Sequence, residues 1–310
     1  MKFALVFPGQ GSQKLGMMDA YGDHPVIRET FAEASDALGR DLWQLVTEGP
    51  ADSLNQTVNT QPLMLTAGIA AYRLWLAKGG PQPALVAGHS LGEYSALVAA
   101  GVIAFADAVP LVELRAKAMQ EAVPVGEGGM AAILGLDVAT VRAACAEVAQ
   151  GEVVEAVNLN APEQTVIAGH AAAVQRAADA CKAKGAKRAM LLPVSAPFHC
   201  ALMLPAAQKL SQRLATLNLQ VPKIALLNNV DVAIVHDPVQ IKDALVRQAA
   251  APVRWVETMQ AMAAQGISHV YECGPGKVLA GLVKRCADGL EGGALADVAG
   301  IDAALVALRA

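Results

Sequence analysis

The sequence predicts an α/β fold: a parallel sheet flanked by helices, with a second, compact β-α-β-β-α-β unit inserted into the chain. Three observations lead there. Short apolar runs alternate with helical segments over most of the 310 residues, the pattern of parallel strands joined by helical crossovers. Residues 130–192 follow a tighter order of their own, that of the ferredoxin-like unit. The 54% hydrophobic fraction is mostly small side chains, with 63 alanines and only 4% aromatics, which favours tight helix packing over membrane insertion.

In chain order, Lys2–Phe7 reads as the first strand, Arg28–Leu38 and Gln61–Lys78 as helices, and Ala84–Gly88 as a short buried strand. Leu91–Ala100 and Phe105–Ala122 follow as helices, and Gly126-Glu127-Gly128-Gly129 reads as a flexible junction. Beyond it, Met130–Leu134 is a strand and Val138–Ala149 a helix whose apolar positions are Val138, Val141, Cys145 and Val148. Val153–Leu159 and Gln164–Ala168 are strands separated by a turn at Asn160-Ala161-Pro162-Glu163. Ala171–Lys184 is a helix and Arg188–Leu192 the last strand of the unit, closed by Pro193 and Pro197. The chain resumes with helix Ala201–Leu217, strand Lys223–Leu227, helices Val239–Ala250 and Trp255–Gln265, strand His269–Glu272 and helix Val278–Arg285. From Gly289 to Gly300 it reads as loose, ahead of a short last helix. The expected division is a core of residues 1–126 and 196–310 around a small unit at 127–195.

Charged residues make up 17%, too few for a disordered chain, and the net charge of −4 argues against a general nucleic-acid binder. Pro8, Gly9 and Gly11 interrupt the N-terminal apolar run before a signal-peptide core could form. Two uncharged stretches, Ser53–Tyr72 and Ala189–Gln208, carry too many amides, hydroxyls and prolines to read as membrane spans. The five cysteines are odd in number and form no CxxC, as expected of reduced thiols in a cytoplasmic protein.

The strongest chemical signal is Gly88-His89-Ser90-Leu91-Gly92, a G-x-S-x-G placed between a predicted strand and a predicted helix. A sharp strand-to-helix turn needs small residues on both sides of the serine and lifts its hydroxyl clear of the sheet. The Leu91 amide then lies at a helix N-terminus, where N–H groups are free and the dipole favours negative charge. A nucleophilic serine needs a base. Of six histidines, His199 stands out, in Ser195-Ala196-Pro197-Phe198-His199 just after the small unit, where prolines fix the approach of the chain. No acid between Ser90 and His199 sits at the end of a predicted strand, so a triad acid is missing and a plain hydrolase fits less well. The segment Phe7-Pro8-Gly9-Gln10-Gly11-Ser12-Gln13 lets backbone N–H groups approach a ligand. It is no dinucleotide fingerprint, since Lys14 holds the third glycine position, and no Walker A loop. No HExxH or paired Cys/His spacing suggests a metal.

Together these residues resemble the malonyl-CoA:acyl-carrier-protein transacylases of bacterial fatty-acid synthesis and the related acyltransferase domains of polyketide synthases. The similarity covers residues 2–286. It rests on the Phe7–Gln13 segment, on Gly88-His89-Ser90-Leu91-Gly92-Glu93-Tyr94, on Arg115, on Pro197-Phe198-His199, and on Asn228-Asn229-Val230-Asp231. Val246-Arg247-Gln248 before Pro252-Val253, and Glu272-Cys273-Gly274-Pro275-Gly276, complete it.

The resemblance implies an α/β-hydrolase-like core with an inserted ferredoxin-like subdomain. It implies Ser90 as nucleophile, His199 as general base, the amides of Gln10 and Leu91 as the oxyanion hole, and Arg115 as anchor for the substrate's free carboxylate. It implies that the main-chain carbonyl of Gln248 orients the histidine, which accounts for the missing acid. Phe198, bulky beside the histidine, favours malonyl over methylmalonyl. The implied partners are malonyl-CoA and acyl carrier protein, with no metal or other cofactor, no nucleic acid and no membrane, acting as a monomer. A free-standing chain favours fatty-acid over polyketide synthesis. A thioesterase or esterase on the same fold is the alternative reading of the same residues.

Overall fold

A computed structural model describes residues 1–309. The first strand, β1 (Phe3–Phe7), is buried at all five positions because helices cover both faces of its sheet. The period of two still sorts its side chains. Phe3, Leu5 and Phe7 join one core with Ile27, Phe31 and Leu63, while Ala4 and Val6 join another with Trp255, Met259 and Val283. Helices α1 (Pro25–Leu38), α2 (Leu42–Glu48), α3 (Ala51–Leu54) and α4 (Thr57–Ala77) follow, then β2 (Leu85–Gly88), α5 (Gly92–Ala99) and α6 (Phe105–Glu121). Helix α1 starts where sequence rules place a start: Pro25 opens it, His24 Nδ1 accepts from the Val26 N–H at 3.3 Å, and Gly39 ends it in the left-handed conformation.

The next six elements are β3 (Gly128–Leu134), α7 (Val138–Val148), β4 (Val154–Ala161), β5 (Gln164–His170), α8 (Ala171–Ala183) and β6 (Arg188–Leu191). They form a four-stranded antiparallel sheet of order β4-β5-β3-β6. Its Ala131, Ile133 and Ile167 pack on Val141, Ala144, Val174 and Ala177 of the two helices, a core of its own. The chain then runs through α9 (Leu204–Ala215), β7 (Ala225–Leu226), α10 (Pro238–Gln248), α11 (Trp255–Ala264), β8 (His269–Glu272), α12 (Val278–Cys286), β9 (Glu291–Ala294) and α13 (Val298–Arg309). The larger sheet has the order β7-β2-β1-β8-β9, every neighbouring pair parallel. Strand β4 is joined to the loop between α10 and α11, where the Val253 N–H donates to Val157 O at 2.8 Å and the Leu159 N–H to Val253 O at 3.0 Å.

The structure corrects three expectations. The stretch from Gly289 is not loose: Glu291–Ala294 pairs with β8 as an edge strand, and a twelve-residue helix follows. A Glu-Gly-Gly-Ala strand has no β-propensity to betray it. Its glycines are needed because a Cβ on Gly292 would come 2.6 Å from Ala280 O, and one on Gly293 2.6 Å from the Tyr271 ring. Gly128 and Gly129 belong to β3, paired with His170 and Gly169, so the junction is shorter than expected. Asn160 and Ala161 continue β4, which leaves Pro162-Glu163 as a two-residue hairpin loop. No helix among the described residues is long and apolar enough to cross a membrane.

Candidate active site

Ligands of open parallel sheets bind beyond the carboxyl ends of the strands. Here β1 runs into the Pro8–Gln13 loop and β2 into the turn that carries Ser90. That turn is tight enough to force Ser90 to a φ of 54°, a left-handed backbone that costs free energy unless neighbours hold it. Asn229 does the holding: its Oδ1 accepts from the Ser90 N–H at 2.8 Å and its Nδ2 donates to Gly88 O at 2.6 Å. Gly9 brings the first loop against the turn so closely that a Cβ there would lie 2.6 Å from His89 O and 3.8 Å from Leu91 N. The loop that carries Gln10 therefore faces the start of α5, where Leu91 sits. The Gln10 side chain turns away from this contact and accepts from Thr57 Oγ1 at 2.8 Å.

Ser90 Oγ is 2.6 Å from His199 Nε2, and His199 Nδ1 is 2.9 Å from the Gln248 carbonyl oxygen. A carbonyl only accepts, so Nδ1 carries the proton and Nε2 presents its lone pair to the serine hydroxyl. His199 itself has a φ of 67°. The chain around it is pinned by Cys200 Sγ donating to Pro197 O at 3.2 Å and by the Ala201 N–H donating to Glu155 of β4 at 3.2 Å. Burial, and then the positive charge of Arg115, push the histidine pKa down to about 3. The imidazole is thus neutral across the ordinary pH range.

Arg115 reaches the site from α6 and is 1% exposed. Its Nη1 donates to Gln61 Oε1 at 2.7 Å, and its Nη2 to Gln248 Oε1 at 3.0 Å and Ser90 Oγ at 3.2 Å. Its guanidinium also lies 5.3 Å from the centre of the Tyr94 ring. Phe198 is buried next to the histidine in sequence. His89 points away from the serine to Asn160 Oδ1 at 2.8 Å. Among the described residues no group of three or more His, Cys, Asp or Glu side chains is arranged to hold a metal ion.

Ser90, His199, Arg115 and Gln248 thus meet in one cluster, with Gln10 and Leu91 on the two segments that face each other beside it. Sequence reasoning assigned nothing to four further groups: Gln61, Glu93, Asn229 and the side chain of Gln248. Glu93 and Asn229 lie inside motifs already noted, and Glu93 is the one charge on an otherwise apolar helix. Gln61 sits among other amides and hydroxyls at the start of α4, so its sequence gave no such signal.

A family model described as the acyl transferase domain matches residues 4–303. The chain belongs to the acyl transferase family. Two relatives and two solved structures match over 98% or more of both chains. It is 58% identical over 305 residues to the malonyl CoA-acyl carrier protein transacylase of Escherichia coli strain K12, covering 98% of this chain and 99% of that one. It is 43% identical over 310 residues to the Bacillus subtilis strain 168 protein of the same name, covering 99% and 98%. The crystal structure of an acyl-carrier-protein S-malonyltransferase from Burkholderia pseudomallei 1710b superposes with a TM-score of 0.97 at 63% identity, covering 99% of this chain and 100% of that one. A malonyl-transacylase solved in complex with a type II polyketide-synthase acyl-carrier protein also gives a TM-score of 0.97, at 54% identity and 99% and 100% coverage.

Proposed function

We propose that this chain is a malonyl-CoA:acyl-carrier-protein transacylase of fatty-acid synthesis. It moves a malonyl group from malonyl-CoA to the phosphopantetheine thiol of acyl carrier protein through a malonyl ester on Ser90. One observation carries the reading: Ser90 Oγ has His199 Nε2 at 2.6 Å and Arg115 Nη2 at 3.2 Å. The first neighbour makes a nucleophile. The second is a cation that an enzyme for uncharged acyl groups would not need. Full-length relatives named as transacylases, one of them solved with a carrier protein, support both substrates.

Ser90 Oγ attacks the thioester carbonyl carbon while His199 Nε2 takes the hydroxyl proton. The charge that develops on the carbonyl oxygen is met by the main-chain N–H groups of Gln10 and Leu91, the latter at the positive end of α5. As the tetrahedral intermediate collapses, the carbon–sulfur bond breaks. The proton on His199 passes to the departing sulfur of coenzyme A. The pantetheine thiol of the carrier protein then enters by the reverse path: its proton goes to His199, its sulfur attacks the ester carbon, and Ser90 leaves with the proton returned. A thioester is exchanged for a thioester, already activated, so the exchange as written asks for no metal, nucleotide or resident cofactor. The Gln248 carbonyl keeps His199 in the tautomer that accepts from serine, the task an acid performs in a triad. Arg115 takes the free carboxylate by charge-assisted hydrogen bonds, each worth about 1.5–3 kcal/mol. Phe198 leaves little width for a branch next to the thioester.

The reading extends to the architecture. Residues 1–126 and 196–310 form an α/β-hydrolase-like core, and residues 127–195 a ferredoxin-like subdomain. The second assignment is supported by a strand order that puts the first and third strands of the βαββαβ unit at its centre. The reading takes the protein as a monomer, since one chain supplies every residue in the mechanism, and as cytoplasmic, which its five free cysteines support. The test is transfer of label from malonyl-CoA to a phosphopantetheinylated carrier protein. Steady release of free malonate without a thiol acceptor would make the protein a thioesterase instead.

A further inference from the structure

Beneath the nucleophile lies a sealed carboxylate that the mechanism above does not use. Glu93 is 2% exposed. Its Oε2 accepts from the main-chain N–H of Asn229 at 3.0 Å and from Gln248 Nε2 at 3.1 Å. The side-chain amide of Gln248, itself fully buried, is used on both ends. Nε2 also donates to Ser90 O at 2.9 Å, and Oε1 accepts from Arg115 Nη2 at 3.0 Å. Only one orientation of that amide fits. Turned over, it would aim N–H groups at a guanidinium, and its oxygen at a carboxylate and a carbonyl.

We propose that Glu93 and the side-chain amide of Gln248 are positioning residues that keep Arg115 charged yet uncapped, and so set the enzyme's preference for acyl groups bearing a free carboxylate. The proposal rests on the reading of Arg115 as the carboxylate anchor. A guanidinium this deeply buried needs a counter-charge. An acid in direct contact would supply it, but would occupy the fork that the substrate's carboxylate has to enter. Here the acid stands one amide away. Glu93 and Arg115 are near enough for their charges to act on each other. The protein side chains bonded to the two Nη atoms are nevertheless uncharged: the Gln61 and Gln248 amide oxygens and the Ser90 hydroxyl. Arg115 Nε has no hydrogen-bond partner among the described residues. The cation is therefore balanced at a distance and held in place by weak acceptors. Gln248 also registers the two halves of the site against each other, since its main-chain carbonyl holds His199 and its side chain holds Arg115.

The experiment compares variants by one readout, the ratio of malonyl to acetyl ester formed on Ser90 when malonyl-CoA and acetyl-CoA compete. A thermal melt checks that each variant folds. Arg115→Ala is the reference. Gln248→Glu sets a carboxylate against Nη2 and should lower the ratio about ten- to hundredfold, as expected for a charge-assisted bond lost to a competitor. The loss should fall on the KM for malonyl-CoA more than on kcat. Gln248→Met keeps the length without the polar atoms; it should lower the ratio about tenfold and carries the test if Gln248→Glu does not fold. In the Gln248→Met background, Glu93→Gln should lower the ratio further, because the charge of Glu93 also acts on Arg115 directly. A ratio that moves in Arg115→Ala but not in either Gln248 variant overturns the proposal and leaves the anchor reading standing. Equal loss of malonyl and acetyl transfer in both Gln248 variants also overturns it, since that is what a merely structural role gives. A ratio unmoved by Arg115→Ala removes the anchor reading, and the proposal with it.

Discussion

The turn that carries Ser90 has no room for a methyl group at Gly92, which makes Gly92→Ala a direct probe of how the fold builds the site. A Cβ at this position would lie 2.7 Å from the carbonyl carbon of Phe7, closer still to its oxygen, and 3.0 Å from Pro8 O. These are backbone atoms of β1 and its following loop, so no side chain can swing aside. Carbon atoms pack at about 3.5–4.0 Å, so the turn and the loop must part by about 1 Å. That displacement opens the 2.6 Å contact between Ser90 and His199 and moves the Gln10 loop from the reacting carbonyl. A misplacement of this size costs about 10²-fold in rate. Overpacking costs about 1–3 kcal/mol of stability, offset in part by the roughly 1 kcal/mol that alanine gains over glycine in a helix. The expected variant is therefore folded, slightly less stable, and about a hundredfold slower. The assay is the rate of malonyl-ester formation on Ser90, paired with denaturant unfolding. A wild-type rate with wild-type stability would refute the steric account of the turn.

Three other tests bear on the site and its surroundings. Because His199 is held near a pKa of about 3, kcat/KM for malonyl-CoA, measured in Glu93→Gln so that the neighbouring carboxyl does not titrate, should show no inflection at the ordinary imidazole value of about 6.5, and an inflection there would contradict the buried neutral base. The same shifts govern stability: the unfolded chain protonates His199 below about 6.5 while the folded chain does not, so its contribution is lost as pH falls. Burial pushes Glu93 and Glu272 up to about 7, so the stability they contribute is present at low pH and lost as pH rises through 7. Melting curves between about pH 4.5 and 7.5 should show Glu93→Gln flattening that loss, and an unchanged slope would remove Glu93 from the balance. Lys187, its side chain 78% exposed and 4.0 Å from Glu163, adjoins Arg188 at the start of edge strand β6. Charge reversal at both should raise the KM for an acidic carrier protein with a marked salt dependence, and an unaltered KM at low salt would take them off the docking surface.

What the sequence revealed followed from local physics. The small unit was readable because its strands and helices carry clean periodicities, as in α8, where Ala173, Val174, Ala177 and Cys181 line one face. The serine turn was readable because only glycine fits on either side of it. Strand β9 was not, since parallel pairing to β8 makes it a strand and its own residues do not. Strand β7 shrinks to Ala225–Leu226 because it pairs only with β2, at the sheet's edge. In the site, Ser90 and His199 stood out in their local segments, and the roles of Arg115 and of the main-chain carbonyl of Gln248 came from resemblance. The polar bracket of Gln61, Glu93, Asn229 and the Gln248 amide could not be read, because it joins residues up to 158 positions apart that only tertiary folding brings within hydrogen-bond reach.

The most direct test of the mechanism is to incubate the protein with malonyl-CoA alone and locate the acyl group by peptide mass mapping. The account predicts one malonyl group on Ser90, absent from Ser90→Ala. The competing site is Cys200, next to the histidine. Its thiol is pushed up to about 12 by burial and donates to Pro197 O at 3.2 Å, so it should stay unmodified. A malonyl group on Cys200, or on any residue other than Ser90, would contradict the serine mechanism.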